Sequence, residues 1–444
     1  MSFSIAKFGG TSMATAEVAK KSVQVLKDRP EILVCVISAT AGSTKFLQQM
    51  AHDASQGLPT WEKNLSDFKS RHLQFMGELN PQMTSVVENY CARVEEILRG
   101  MKLLKEASLS AIDELVSHGE LISSHLFAQA LKLTGRKVEW VDARGVMKTS
   151  SDFSRAIPHL DLLKKNAQAI ITPLMKDAVV VTQGYIGTDL NGRTTTLGKE
   201  GSDYSTALFA EALEASEVQI WKDVAGVMTT DPRLVSNAQT IEDVSFDEIS
   251  ELTRFGAKVI HPDTFLPAMR AKIPVYVGYS QNPQVKGTRI TLNPKVRKSV
   301  RAVSLKKDQS WLTVTEEKGQ NSPFFILNVL NILNKHKITP TLMNTSENRL
   351  GFVIDKIYPV SEDLLRELSS VGSTHLTASE LIAVIGIGIS HEASIQGKIL
   401  EAAQGSSVLM TSGGASESSF CILLEQGKSE EILKNIHTQF WGQA

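Results

Sequence analysis

Cysteine is scarce in this chain of 444 residues: Cys35, Cys91 and Cys421 lie far apart and show no CxxC spacing. That excludes a disulfide framework and a cysteine-built zinc site, and it fits a reducing compartment. Cys35, inside ILVCVI, reads as a core residue. Net charge is nearly absent too. Lysine plus arginine total 47 against 48 acidic residues, so no basic excess marks a general nucleic-acid binder, although a small anionic ligand needs only local positive charge. No apolar run approaches the roughly 20 residues that span a bilayer, and the amino terminus shows no apolar signal region with a basic flank. With 42% apolar residues, the expectation is a soluble, cytoplasmic protein without a membrane partner, of two or three domains.

What the chain does have is a series of short β-branched runs that end in small or polar residues. They are SIAKF before GGTS, EILVCVI before SATAGST, DAVVVT before QGYIG, EVQIW before KDVAGV, and KIPVYV before GYS. Continuous runs of this kind make strands covered on both faces, as in a parallel sheet. Amphipathic helical patterns lie between them, such as SDYSTALFAEALEA, with Leu208, Phe209, Ala212 and Leu213 on one face. The expected fold is α/β, three layers around a mostly parallel sheet, with ligands at the carboxyl ends of the strands. Residues 58–110 depart from it: Trp61, Leu65, Phe68, Phe75 and Leu79 recur at near-helical spacing and predict a helical excursion whose aromatics are core. From 295 the character changes again. PKVRKSVRAV is a basic, strand-like linker over 295–310, and the rest repeats itself weakly as strand, helix, strand, turn, strand. Ser346–Glu347 and Ser416–Glu417 mark the equivalent turns. Two α+β units of the ferredoxin-like kind fit, 311–375 and 376–444, whether separate or interleaved. Neither carries a catalytic cluster, which points to binding or regulation.

Strand, KFGGTS, helix is the arrangement of an anion site. Glycine lets the backbone approach, and free N–H groups at a helix start point at negative charge. Lys7, ending an inner strand, needs a counter-charge. Two similar patterns fail: GRTTTLGK has the wrong glycine spacing for a P-loop and is followed by Glu200, and the GIG at 386–388 has His391 where a dinucleotide turn needs glycine. The stronger signal is the set of loops that follow successive strands. SATAGST offers Ser38 and Thr44, and DELVSHGELIS places Glu120 after a glycine near a helix start. TTTLGKEGSDYS brings Asp203 to another helix start, WKDVAGVMTTDPR carries Lys222, Asp223 and Arg233, and RFGAKVIHP carries Lys258. Singly, Glu120 or Asp203 could be a helix cap and Lys222 a solvated side chain. Together they fit phosphoryl transfer, which needs spread positive charge and positioning. A carboxylate acceptor is already ionised, so no catalytic histidine is required.

In order, KFGGTS, SATAG-x-T, ELVSHGE, TLG-xx-GSDY, DV-x-GV-x-TTDPR and FGAKVIHP resemble the signatures of the aspartokinases, over nearly the whole chain. The resemblance implies an amino-acid-kinase domain over 1–294 followed by a tandem pair of ACT domains, similar to the monofunctional, lysine-sensitive branch. It implies transfer of the ATP γ-phosphate to L-aspartate, with Mg²⁺ accompanying ATP and no dedicated protein metal site. Lys7 and Asp203 would be catalytic. Lys7, Phe8, Gly9, Gly10, Lys222, Asp223, Met228, Arg233, Lys258 and Val259 would face ATP and its phosphates. Ser38, Thr44, Glu120, Tyr185, Lys199, Gly201 and Ser202 would hold aspartate, with Glu120 toward its amino group. Lysine-effector positions would fall on Ser322, Phe325, Ile326, Ser346 and Glu347, and ACT pairing would give a homodimer or a dimer of dimers. Another carboxylate kinase of the same fold and a non-catalytic amino-acid sensor are the alternatives.

Several positions depart from the family pattern: Tyr185 stands where phenylalanine is usual, and Pro323 and Phe324 alter the effector turn. Thr341 stands where the family has an aspartate, which weakens capture of a cationic effector. Glu200 replaces a glycine beside an anionic substrate. Lys199 replaces an arginine that grips the substrate α-carboxylate, exchanging a two-bond fork for a point charge. Lys199→Arg is therefore expected to lower the KM for aspartate with kcat retained; an unchanged or higher KM in steady-state kinetics would contradict that reading.

Overall fold

The β-branched runs become strands, as their pattern predicts. The computed structural model describes residues 2–257, 262–295, 299–316, 323–414 and 416–442. It forms two compact units: Met1–Val227 with Glu242–Phe246 and His261–Pro294, and Met228–Ile241 with Asp247–Ile260 and Lys295–Ala444.

In the first unit the strands are β1 (Ser4–Phe8), β2 (Ile32–Ile37), β3 (Val138–Trp140), β4 (Lys148–Thr149), β5 (Val179–Gln183), β6 (Ile186–Asp189), β7 (Thr194–Thr196), β8 (Glu217–Lys222), β9 (Asp243–Ser245), β10 (Val275–Tyr279) and β11 (Thr288–Thr291). Eight of them form one sheet in the order β3-β5-β2-β1-β8-β10-β11-β9, and β4, β6 and β7 form a small second sheet. Every pairing from β3 to β10 is parallel; β11 joins β10 antiparallel. β1 and β5 are buried at every residue, which is why their sequences run apolar without alternation. The helix Gly201–Leu213 packs on β1, β2 and β8, and Leu109–Lys132 packs on β2, β3 and β5. Leu208, Phe209, Ala212 and Leu213 are all buried.

The helical excursion consists of Thr60–Leu79 and Thr84–Leu104, joined by the turn Pro81–Met83. Trp61, Leu65, Phe68, Phe75 and Leu79 pack in one core with Val87, Cys91, Val94, Leu98 and Met101. All three cysteines are buried and free, and burial pushes each thiol up, so none is a poised nucleophile.

The second unit holds a single antiparallel sheet of β12 (Ala302–Thr315), β13 (Leu342–Thr345), β14 (Arg349–Asp355), β15 (Ser373–Ile385), β16 (Val408–Ser412) and β17 (Ser419–Glu425), in the order β13-β14-β12-β15-β17-β16. The repeat seen in the sequence is present, and its halves share strands. Gln309–Thr315 of β12 pairs with β14, whereas Ser379–Ile385 of β15 pairs with β17. The β12–β15 ladder slips between Lys306 and Gln309, where Asp308 takes a left-handed φ of 56°. That bulge divides β12 between two cores, one holding Leu312, Val314, Phe325 and Phe352, the other Val303, Ile382, Ile399 and Phe420. β12 starts within the segment read as a linker.

Candidate active site

Lys7 lies next to the end of β1, hydrogen-bonded on both sides by β2 and β8, so its side chain emerges between walls and is 10% exposed. Its Nζ sits 2.7 Å from Asp203 Oδ1, and Lys222 Nζ, from the end of β8, sits 3.3 Å from Asp203 Oδ2. Asp203 occupies the first turn of the helix Gly201–Leu213, where the helix dipole favours an anion. Burial alone would raise its pKa, but Lys7 and Lys222 outweigh burial and hold it at about 2. Two ammonium groups thus share one carboxylate at the carboxyl ends of adjacent parallel strands. A Cβ on Gly10 would sit only 2.9 Å from the Ala39 carbonyl oxygen, so that position needs a bare backbone, whereas one on Gly9 would make ordinary contact with Lys7 Nζ at 3.4 Å. The expected helix after KFGGTS starts late. A 3₁₀ turn, Gly10–Met13, comes first, with the Ser12 hydroxyl donated to Ser280 Oγ at 2.9 Å; the helix Ala16–Ser22 then begins on a Thr15 cap.

Glu120 is not near a helix start. Its helix begins at Leu109 on a Ser108 cap, and the glycine before it serves close packing instead: a Cβ on Gly119 would lie 3.1 Å from the Ala39 methyl. Glu120 is buried; Oε1 accepts the Ala39 N–H at 3.3 Å, and Oε2 is buried without a hydrogen-bond partner. Burial pushes its carboxyl up to about 8. Ser38 follows β2, with its N–H donated to the Phe8 carbonyl, and half-buried Thr44 lies in the first turn of Ser43–Ser55. Phe8 is fully buried against Phe127, ring centroids 4.7 Å apart. The turn at Gly184–Tyr185 is pressed onto the start of the Asp203 helix. A Cβ on Gly184 would lie 2.6 Å from Ser202 Cβ, and one on Gly201 would lie 2.7 Å from Tyr185 Cδ2. Burial pushes the Tyr185 phenol up to about 12. Lys199 is exposed, and Glu200 takes a left-handed φ of 56°, the conformation for which glycine pays no steric penalty.

The structure therefore joins Lys7, Asp203 and Lys222 directly and packs Tyr185 against Gly201. Asp223 is exposed just beyond β8. Met228 and Arg233 belong to the second unit, where the Arg233 guanidinium grips Asp231 at 2.6 Å. Lys258, Val259 and Ser322 lie outside the described residues. Phe325 is buried in a core of the second unit and Ile326 is exposed on the same helix. Ser346 and Glu347 are exposed in the β13–β14 turn, where the Ser346 N–H is donated to the Arg349 carbonyl at 2.8 Å.

Residues 2–279 match the amino acid kinase family. Across 98% of its length the chain is 35% identical to Lysine-sensitive aspartokinase 3 of Escherichia coli (strain K12), covering 99% of that protein. The chain belongs to the aspartokinases. It is also 33% identical to an aspartokinase of Chlamydia pneumoniae, over 88% of this chain and 87% of that one. Among solved structures it resembles E. coli aspartokinase III in complex with aspartate and ADP, with a TM-score of 0.83 and 33% identity over 99% of this chain and 100% of that one. The same enzyme in complex with lysine and aspartate gives a TM-score of 0.84 and 34% identity, over 99% of each chain.

In this aspartokinase the excursion reaches the loop that carries Ser38 and Thr44 through two residues the sequence reading passed over. His72 Nε2 lies 2.8 Å from Thr40 Oγ1, and Arg71 donates to Thr40 Oγ1 at 3.1 Å, Ser43 Oγ at 2.5 Å and the Ala41 carbonyl at 3.3 Å. Because His72 Nδ1 faces the Phe68 carbonyl at 2.8 Å, that nitrogen carries the proton and Nε2 accepts the Thr40 hydroxyl. The available signal was a histidine interrupting the apolar stripe Leu65, Phe68, Phe75, Leu79 at core spacing. Asp113 was likewise missed. It is a buried carboxylate two helical turns before Glu120 that accepts bonds from Ser154 and Thr196.

Burial pushes His72 down from 6.5 to about 4. A depressed histidine contributes stability that is present above pH 6.5 and lost as pH falls through 4, up to about 3 kcal/mol. Denaturant titrations between these limits should show that loss in the wild type and a flatter profile in His72→Gln; equal pH dependence would contradict the assignment.

Proposed function

We propose that the chain transfers the γ-phosphoryl group of ATP to the side-chain carboxylate of L-aspartate, giving 4-phospho-L-aspartate and ADP. The observation that carries this reading is the buried Lys7–Asp203–Lys222 group beside the unpartnered Glu120 carboxylate oxygen, within a chain of aspartokinase sequence and fold. Lys7 faces the transferring phosphoryl group, where negative charge is spread over its oxygens. The Gly9–Gly10 backbone cradles it. Asp203 holds Lys7 in place through their ion pair, while Phe8, Lys222, Asp223, Met228, Arg233, Lys258 and Val259 serve the nucleotide. Glu120 takes the aspartate ammonium, Lys199 its α-carboxylate, and Ser38, Thr44, Tyr185, Gly201 and Ser202 complete the pocket. An oxygen of the aspartate side chain attacks the γ-phosphorus and the bond to the ADP oxygen breaks. The acceptor is already ionised, so no base is needed.

Mg²⁺ enters this reading as an ion carried on the ATP phosphates with its waters, not in a protein cage. We assign catalysis to residues 1–294, with 295–310 leading into two interleaved ACT units, 311–375 and 376–444. Their sheet ends in edge strands β13 and β16, and such edges support pairing between subunits, as a homodimer or a dimer of dimers. Lysine feedback through Ser322, Phe325, Ile326, Ser346 and Glu347 belongs to the same proposal. No helix among the described residues is long and apolar enough to cross a membrane, and we place the reaction in the cytoplasm.

ADP release from ATP should depend on aspartate, fail with glutamate and fall on adding lysine; turnover independent of aspartate would overturn the reading, and indifference to lysine would remove the feedback part. Glu120 supplies a second check. With its carboxyl near 8, the free enzyme holds it mostly protonated at pH 7, and an ammonium in the pocket favours the carboxylate. Calorimetry in buffers of different ionisation enthalpy should show aspartate binding release protons, and Glu120→Gln should abolish the release. Buffer-independent heat would contradict the placement of Glu120.

A further inference from the structure

Asp113 is 1% exposed and has no ion-pair partner among the described residues. Its carboxylate is satisfied by hydrogen bonds alone. Oδ2 accepts the N–H of Ser154 at 2.8 Å and the N–H of Thr196 at 2.9 Å. Oδ1 accepts the Thr196 hydroxyl at 2.8 Å and the Ser154 hydroxyl at 3.3 Å. A buried carboxylate is costly unless its oxygens are filled; here four donors fill them, and the donors come from two separate stretches of chain.

Those stretches meet at the substrate turn. Thr196 ends β7, and the chain runs from it directly through Lys199, Glu200, Gly201 and Ser202 to Asp203. Ser154 holds a left-handed φ of 69°, a conformation that needs external support in a residue with a Cβ. Its carbonyl oxygen backs the turn: a Cβ on Gly198, itself at φ 82°, would lie 3.1 Å from Ser154 O and 3.7 Å from Arg155 Cβ. The carboxylate that collects both stretches stands on the Glu120 helix, two turns earlier and on the same face. One buried group therefore connects the helix bearing Glu120 to the turn bearing Lys199 and Asp203.

We propose that Asp113 is a positioning residue that sets the separation between Glu120 and the Lys199–Asp203 turn, and so governs aspartate binding without touching the substrate. This rests on the reading that Glu120 and that turn hold opposite ends of aspartate. Asparagine can reproduce the arrangement. Its carbonyl oxygen accepts both backbone N–H groups, and its amide donates to the two hydroxyls, which then act as acceptors. Alanine leaves the N–H groups of Thr196 and Ser154 without an acceptor.

The test is steady-state kinetics of Asp113→Ala, Asp113→Asn, Thr196→Val and Glu120→Gln, with aspartate and ATP varied separately. Asp113→Ala, which leaves two N–H groups unsatisfied, should raise the aspartate KM about tenfold or more, with the ATP KM within about threefold. Asp113→Asn should stay near wild type for both substrates. Thr196→Val, which removes one hydroxyl and keeps the backbone bond, should raise the aspartate KM by a smaller factor and carries the test if the alanine variant does not fold. A wild-type aspartate KM in both Asp113→Ala and Thr196→Val, equal increases for both substrates, or an asparagine variant as impaired as alanine would each overturn the proposal. If Glu120→Gln leaves aspartate kinetics unchanged, the underlying reading fails instead; if it raises the aspartate KM while Asp113→Ala does not, only the positioning role falls.

Discussion

The buried carboxylate of Asp203, shared by the ammonium groups of Lys7 and Lys222, is the constraint around which the first unit is arranged. A carboxylate this deep is unfavourable unless charge meets it at both oxygens. Supplying two lysines requires β1 and β8 to be neighbours in parallel register, with Lys7 opposite Ile220 and Phe8 opposite Trp221. It also requires the amino end of the Asp203 helix to arrive at the carboxyl ends of those strands, where parallel α/β sheets place their ligands. The bare backbone at Gly184 and Gly201 follows from the same demand, since a Cβ at either would enter space held by Ser202 or Tyr185.

Around that centre, buried polar groups hold the loops in place. The excursion contributes Arg71 and His72 to the loop after β2, and Asp113 gathers the stretches around Ser154 and Thr196. At Asp113 four donors fill both carboxylate oxygens, and among the described residues neither network contains an ion pair. Glu120 is the exception, with one oxygen unsatisfied, as expected of a group whose partner is a ligand. In the second unit a bulge at Asp308 performs a comparable service for the backbone. It turns one long strand into a member of two cores, so the two α+β halves form one continuous sheet.

The strands around the site, though not their order, were legible in the sequence because β-branched runs covered on both faces have no polar alternation to obscure them. The excursion was legible from its apolar stripe, and the paired α+β units from the repeated turn. Glu120 was picked out, but its surroundings were misjudged: Gly119 looked like a helix boundary and is instead a point of close approach inside a long helix. Asp113 and Arg71 were not legible, since their partners lie on other segments and nothing local distinguishes a hydrogen-bonded polar side chain from a solvated one; His72 left only its place in the apolar stripe as a signal. The sharing of β12 was hidden for a similar reason. A basic stretch before a strand reads as a linker until its pairing partner is known. Glu200 at a left-handed φ still has no physical advantage visible in the structure.

The central claim is that Lys7 acts on the transferring phosphoryl group and not on holding aspartate. The most direct measurement is single-turnover phosphoryl transfer by Lys7→Ala, with aspartate binding measured on the same preparation. The account predicts a loss of about a thousandfold in the transfer rate, the cost of removing one charge-stabilising donor, with the aspartate Kd within about threefold of wild type. A near-normal transfer rate, or a loss explained entirely by weaker aspartate binding, would contradict it.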